Sequence, residues 1–214
     1  MNDTECPVID LTPFDPETGN LPDDERPALV TDDPWIGAEA PGGTGTHDFP
    51  AGGGGETFPG GKWLLYVPRE HLDTTWAAVQ TMTECAWLGP QAKVSTAHPN
   101  PHRTNDHHHV ICLYVDDWHD TTTIRRVLTN LRELGVGKEW MNFKRDKDTA
   151  AGLYKRNGDH GVATFTAPPD EERLFTKRLG GVTWLDGTND AAVVAAIDAL
   201  DDLPDADDET RCGT

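Results

Sequence analysis

The stretch HVICLYVD, residues 109–116, is the strongest strand signal in the chain, and it follows directly on His107 and His108. Apolar residues fill its alternating positions on both sides, which is typical of a strand buried on both faces near the centre of a sheet. Successive side chains of a strand point to opposite faces. His109 therefore shares a face with Ile111 and is the histidine that enters the sheet, whereas His107 and His108 are loop residues.

Further strands and helices are predicted on either side of this strand. Short β-forming runs indicate strands over residues 62–67, 92–97, 140–146 and 162–167. Apolar residues at three- and four-residue spacing predict helices over about 69–87, 121–134 and 190–203. The order predicts an α/β domain of the α+β type, with a mixed or antiparallel sheet covered by helices.

Composition divides the chain into three parts. Residues 1–58 are rich in proline and glycine and predict a flexible acidic arm, with a local anchor at Trp35 and Ile36. Residues 59–203 form the predicted domain, and residues 204–214 form an acidic C-terminal tail. The sequence shows no signal peptide and no apolar run long enough to span a membrane, which predicts a cytoplasmic protein without a membrane partner.

The chain is strongly acidic, with 37 Asp and Glu against 18 Lys and Arg and a formal net charge of −19. Acid spread over surface-like segments is typical of proteins from a salt-saturated cytoplasm, where it maintains solubility. An acidic partner-binding protein is the alternative. Sixteen of the 18 basic residues lie between Lys62 and Arg178, which favours a site for an anion, although folded segments also carry more ion pairs than tails do.

Metal and phosphate are the two ligands that the residue types suggest. A histidine-rich segment, His98, His102 and residues 107–109, adjoins Asp106, but its spacing matches no metal motif, so neither a metal nor a cofactor is predicted. Lysines at strand positions need a compensating partner if they are buried. We therefore expect either a solvated face or a site at one end of the sheet where a phosphate is held by Lys62, Lys93, His109 and Lys144.

Several segments, in their order along the chain, resemble one known family. They are GKW (61–63), LGPQAKVSTAHPNP (88–101), HVICLYVDD (109–117) and FKRDKDTAAGLY (143–154). Over about residues 61–165 the chain resembles the basophilic-leukaemia-expressed protein family, in a haloarchaeal branch. The resemblance implies a curved, mostly antiparallel sheet backed by helices, similar to the fold of the cap-binding translation initiation factor.

A second resemblance, to phosphothreonine lyases, bears on chemistry. The order of HVIC, the 121–134 helix and FKRD is similar in those enzymes, which remove phosphate by β-elimination. It implies that Lys144 is the base that removes the α-proton and that His109 is the acid that protonates the leaving phosphate. The phosphate of a phosphorylated peptide would then be bound by Lys93, Lys62, Arg145 and Arg156.

Two other classes of function stay open at this stage. A non-catalytic module that binds a nucleotide or RNA would keep the anion site and add aromatic stacking. Five tryptophans are candidates for stacking: Trp63, Trp76, Trp87, Trp118 and Trp140. Four of these five occupy strand or helix positions that predict core. A structural or regulatory protein without a small ligand is the third class.

Overall fold

An antiparallel sheet organises the residues that the computed structural model describes, which are 21–42, 59–99, 107–154 and 162–202. The strands are β1 (Trp35–Glu39), β2 (Gly61–Pro68), β3 (Gln91–Ser95), β4 (His108–Val115), β5 (Met141–Arg145), β6 (Phe165–Ala167), β7 (Leu174–Thr176) and β8 (Thr183–Leu185). The helices are α1 (Leu72–Glu84), α2 (Thr121–Glu133), α3 (Asp146–Ala150) and α4 (Asp190–Asp201), with 3-10 turns at Asp23–Glu25 and Arg69–His71.

The eight strands follow the order β1-β3-β4-β2-β5-β6-β7-β8, and the sheet is not closed. Every pair of neighbouring strands is antiparallel. The predicted α+β class, with an antiparallel sheet backed by helices, is therefore confirmed. β4 lies between β3 and β2, away from both edges, as its two apolar faces predict.

One face of the sheet, which we call the helix face, carries the hydrophobic core. Trp63 of β2, Leu113 of β4 and Phe143 of β5 lie on it, and all three are fully buried. They pack against apolar residues of α1, α2 and α4 within one core cluster. The indole of Trp63 also donates a hydrogen bond to the carbonyl oxygen of Ile124 in α2, at 3.0 Å. Because side chains alternate along a strand, the residues between these core positions lie on the opposite face of the sheet.

That opposite face is called the lysine face below. It carries Lys93 of β3, Cys112 and Tyr114 of β4, Lys62 of β2, and Asn142 and Lys144 of β5, as the strand register requires. Among the described helices, α1, α2 and α4 contribute their buried apolar residues to the core cluster on the other side of the sheet. The two faces of one sheet are thus chemically distinct, and the lysine face carries the three strand lysines.

Helix α2 begins where the sequence supplies a cap. The side chain of Asp120 accepts a hydrogen bond from the backbone N–H of Thr123 at 3.0 Å, which satisfies one of the free donors of the first turn. That bond lowers the pKa of the Asp120 carboxyl. The helix is followed by Gly135 at φ +81°, a left-handed conformation that glycine adopts without a steric penalty.

The segment before β2 differs from its prediction. A flexible arm was expected through residue 58, yet β1 forms the edge of the sheet and pairs with β3 from Trp35↔Ser95 to Glu39↔Gln91. Ala38 lies in the core, and the Arg26 side chain donates to Asp73 of α1 at 2.9 Å. Trp35 and Ile36, the predicted local anchor, lie in this strand. The ordered stretch is longer than that anchor, because average composition conceals a short alternating sequence that gains a full ladder of backbone bonds. Residues 1–20, 43–58 and 203–214 lie outside the described residues.

No helix in the described part of the chain is both long enough and apolar enough to cross a membrane.

Candidate functional site

Three of the sequence-predicted lysines meet on the lysine face. Lys62 is directly opposite Tyr114 of β4 on one side and Lys144 of β5 on the other. Lys93 of β3 is opposite Cys112 of β4. Residues opposite each other in neighbouring strands share a face and lie about 5 Å apart. Four adjacent strands therefore bring these three lysines to one region, which we call the lysine cluster.

Tyr114 forms the centre of the lysine cluster. Its ring is fully buried, with the Lys62 Nζ at 5.3 Å and the Lys93 Nζ at 5.4 Å from its centroid. The Lys93 ammonium also lies 4.7 Å from the ring centroid of Trp35 in β1. An aromatic face attracts a cation electrostatically, so these rings hold two ammonium groups near each other despite their mutual repulsion.

Lys62 is neutralised by an acid from the start of α3. Its Nζ lies 2.7 Å from an oxygen of Asp146, and both side chains are buried. Asp146 is fixed in turn by its backbone N–H, which donates to the carbonyl oxygen of Gly60 at 3.0 Å. A buried ion pair of this kind locks the orientation of the lysine more than it stabilises the fold.

Lys144 has an unusual environment for a lysine. Its Nζ donates to the carbonyl oxygen of Leu153 at 2.5 Å and lies 4.0 Å from the ring centroid of Tyr154. Burial lowers the pKa of Lys144, and the charge of Lys62 lowers it further, from 10.5 to about 8. A lysine with such a pKa has a minor neutral fraction near neutral pH and a major one above pH 8, and the neutral amine is the form that a lysine base requires.

Cys112 lies among the lysines and is buried. Burial raises the pKa of the Cys112 thiol, and the charges of Lys62, Lys93 and Lys144 oppose that rise. The cysteine is therefore a neutral part of the cluster floor, as its apolar neighbours in the sequence predict.

His109 does not join the lysine cluster. It lies on the helix face, is 1% exposed, and places its Nδ1 2.9 Å from the carbonyl oxygen of Ser95. It is opposite Val67 in β2, five residues along that strand from Lys62, or about 17 Å at the usual rise per residue. The expectation that His109 and Lys144 act at one site is wrong, because the pleat and the register place them on opposite faces and at opposite ends.

Arg145 also lies away from the cluster. Its guanidinium donates to both oxygens of Asp148, at 2.9 and 3.0 Å, and to both oxygens of Asp201, at 2.5 and 3.1 Å. Arg178 binds the same Asp148 at 2.6 Å. Arg145 is therefore bound by two carboxylates, and the expectation that it grips a phosphate beside Lys144 is wrong. Arg156 lies outside the described residues.

The histidine-rich segment is described only in part. The Nδ1 of His98 lies 2.8 Å from the carbonyl oxygen of Thr31, while His102 and Asp106 lie outside the described residues. Within the ranges that the structure describes, no group of three or more His, Cys, Asp or Glu side chains is arranged to hold a metal ion.

Comparison with protein families adds one match. Residues 57–146 match the family model described as Basophilic leukemia-expressed protein Bles03. This part of the chain is similar to the Bles03 family. The family resemblance predicted from the sequence is thus confirmed over a segment that contains β2 to β5 and all three lysines of the cluster.

Two exposed tryptophans lie on the lysine face, and only Trp140, not Trp184, was among the five candidate rings named from the sequence. Trp140, inside the Bles03 segment, is 57% exposed although its position predicts core, and Trp184, beyond the segment, is 40% exposed. The alternation in WMNFKR predicts that Trp140 lies on the lysine face, because Trp140, Asn142 and Lys144 are two residues apart and share a face. Trp184 lies in a strand of three residues, which is too short for alternation to reveal.

Proposed function

We propose that the lysine face binds a ligand that carries a phosphate, through Lys62, Lys93 and Lys144. The observation that carries the proposal is the shared face of these three side chains in four adjacent strands. In a chain with a formal net charge of −19, a local group of three lysine side chains favours an anionic ligand by both charge and hydrogen bonding.

The lowered pKa of Lys144 supports a finer proposal, which is β-elimination from a phosphothreonine peptide. In this step the neutral amine of Lys144 takes the α-proton, and the electron pair of the Cα–H bond forms a Cα=Cβ double bond. The bond from Cβ to the phosphate oxygen breaks at the same time and phosphate leaves, so the substrate loses the elements of phosphoric acid. A pKa of about 8 lies near the working range of a general base. The acid for the leaving group is not His109, because that imidazole lies on the other face of the sheet.

A non-catalytic module that binds a nucleotide or RNA is the second candidate function. It is favoured by a specific observation, the exposed rings of Trp140 and Trp184 on the face that carries the lysines. We propose with it that the sheet has the curved fold of the cap-binding translation initiation factor, and that the acidic chain works in a salt-rich cytoplasm.

Calorimetry with inorganic tripolyphosphate in potassium chloride tests the binding proposal. We expect the unsubstituted protein to bind, and both Lys93→Ala and Lys144→Ala to weaken the affinity at least tenfold. Lys138→Ala is the matched control, because Lys138 is an exposed lysine outside the cluster. Equal affinities for all four proteins would contradict the proposal.

Mass spectrometry of a phosphothreonine peptide incubated with the protein tests the elimination. Loss of the elements of phosphoric acid, absent with Lys144→Ala, would support a lyase. Loss of phosphate with the hydroxyl retained would indicate a phosphatase and contradict the mechanism. An unchanged peptide, together with tripolyphosphate binding, would favour the non-catalytic module.

A further inference from the structure

A group of aromatic side chains lies on the lysine face at the β8 end of the sheet. We call it the tryptophan patch and define it as Trp140, Phe175 and Trp184. Trp140 is 57% and Trp184 is 40% exposed, whereas Trp63, Trp76 and Trp118 are at most 1% exposed. Large rings left in solvent on a folded surface often mark a binding site.

The rings of the patch support one another. Phe175 is 6% exposed and lies between the two tryptophans, with its ring centroid 6.2 Å from Trp140 and 5.1 Å from Trp184. These separations fall in the range of favourable aromatic contacts. The inner ring therefore holds the two outer rings in place. Because these side chains are already ordered, they would lose little conformational entropy when a ligand stacks on them.

Cations lie on the same rings. The Arg173 Cζ is 4.7 Å from the ring centroid of Trp184, and the Lys177 Nζ is 5.8 Å from that of Phe175. Glu171 accepts two hydrogen bonds from the Arg173 guanidinium, at 2.6 and 2.8 Å, which fixes its orientation while both side chains stay partly exposed. Flat rings with cations at their edge suit a ligand that has both π-faces and negative charge.

The tryptophan patch continues into the lysine cluster. Trp184 is opposite Phe175, Phe175 is opposite Thr166, and Thr166 is opposite Asn142. Asn142 and Lys144 are two residues apart in β5 and share the lysine face. Three strand spacings separate Trp184 from β5, which is about 14 Å. A ligand that contacts both groups must therefore reach across several strands.

We propose that single-stranded nucleic acid lies across this face, with bases stacked on Trp140 and Trp184. Its backbone phosphates lie at the exposed Arg173 and Lys177 and at Lys93, the lysine of the cluster that is only partly buried. The inference rests on the proposed phosphate binding and names the ligand. A phosphopeptide also supplies an anion, but its backbone offers no regular series of π-faces to stack on two separate tryptophans. Nucleic acid supplies a ring and a phosphate at every residue, which matches the alternation of rings and cations on the sheet.

Fluorescence anisotropy with labelled oligoadenylate, an abasic oligonucleotide of equal length and competing tripolyphosphate tests the proposal. We expect oligoadenylate to bind more tightly than the abasic strand, and Trp184→Ala and Trp140→Ala each to weaken it about tenfold without changing the tripolyphosphate affinity. Lys93→Ala should weaken both ligands. Trp87→Ala, which removes a ring 38% exposed from outside the patch, is the control and should bind as the unsubstituted protein does.

The outcomes separate the two proposals. Equal binding of oligoadenylate and the abasic strand, unaffected by the tryptophan substitutions, would overturn nucleic-acid stacking but leave phosphate binding intact. Absence of tripolyphosphate binding would overturn the proposed function itself. A phosphothreonine peptide whose binding depends on Trp184, or self-association that Trp184→Ala abolishes, would assign the patch to a protein partner and overturn the nucleic-acid ligand.

Discussion

Lys144 and Arg145 are consecutive residues of β5, yet their side chains meet opposite environments. Arg145 lies on the helix side, where two aspartates each accept two of its hydrogen bonds. Lys144 lies on the lysine face, where it meets a carbonyl oxygen, an aromatic ring and the charge of Lys62. Two neighbouring residues of one strand therefore differ in their electrostatics: the charge of Arg145 is balanced by two carboxylates, whereas burial disfavours the charge of Lys144.

The pKa shifts of the two cations show the same contrast. Burial would lower the pKa of Arg145, but its hydrogen bonds to Asp148 and Asp201 outweigh it and raise that pKa. Partial burial would raise the pKa of Asp201, and the bonds from Arg145 and Lys147 lower it to about 2. At Lys144, burial and the charge of Lys62 outweigh the opposing charges of Asp148 and Asp146, and the pKa falls. Uncompensated charge in a folded protein is a feature of functional sites, and compensated charge is a feature of structural ones.

The largest effect is expected from Arg145→Met. The substitution leaves the buried Asp148 with only Arg178 and deprives Asp201 of its main partner, so we expect a loss of about 3 kcal/mol in the free energy of unfolding. Urea denaturation at constant potassium chloride measures it. Lys147→Met is the control, because the Lys147 side chain is 37% exposed and binds the same Asp201, and it should cost less than about 1 kcal/mol. Equal losses would contradict the assignment of Arg145 as a structural residue.

The sequence predicted the fold better than the site. The strand at 109–116 and the amphipathic helix at 121–134 were found within one residue at each end, because long apolar periods specify burial. β7 and β8, with three residues each, are too short to show alternation. They form because neighbouring strands offer unpaired backbone groups, and that is information from the tertiary structure.

The site residues show the same difference between what a local pattern predicts and what the tertiary structure decides. Alternation within a strand predicts which residues share a face, and it correctly separates His109 from Cys112. It does not predict how two strands align, and the register between β2, β4 and β5 is what brings Lys62, Lys93 and Lys144 together. The resemblance to the lyases paired His109 with Lys144 by their order in the chain, and order carries no information about face or register.

Substitution of Lys144 should separate stability from binding. Lys144→Met removes a desolvated ammonium and keeps most of the side-chain volume, so we expect the free energy of unfolding to rise by about 1 kcal/mol. The affinity for tripolyphosphate should fall at least tenfold. Denaturation and calorimetry on one preparation measure both. A protein that is destabilised by this change, with binding intact, would show that Lys144 is a structural residue like Arg145.

A change of pH should act on Lys144 before it acts on Arg145. The pKa of Lys144 is about 8 in the folded protein against 10.5 as its usual value, so the unfolded chain binds the extra proton between these values and stability should rise with pH there. The affinity for tripolyphosphate should fall as pH rises through 8, because the ammonium is lost. Lys144→Met should remove both trends. An affinity that does not change across this range would contradict a role for the charged Lys144 in binding.

The smallest effect on binding is expected from His109→Asn. The imidazole is buried on the helix face beside the Ser95 carbonyl oxygen, and about 17 Å of strand separates its backbone from that of Lys62. We expect the tripolyphosphate affinity to stay within about twofold, while the free energy of unfolding falls by about 1 kcal/mol through the altered hydrogen bond. If β-elimination is observed, it should persist in this variant. Elimination that is lost in His109→Asn, in a protein that still folds and binds, would require His109 and Lys144 to act together, and the two faces of this sheet would then have to rearrange in the active state.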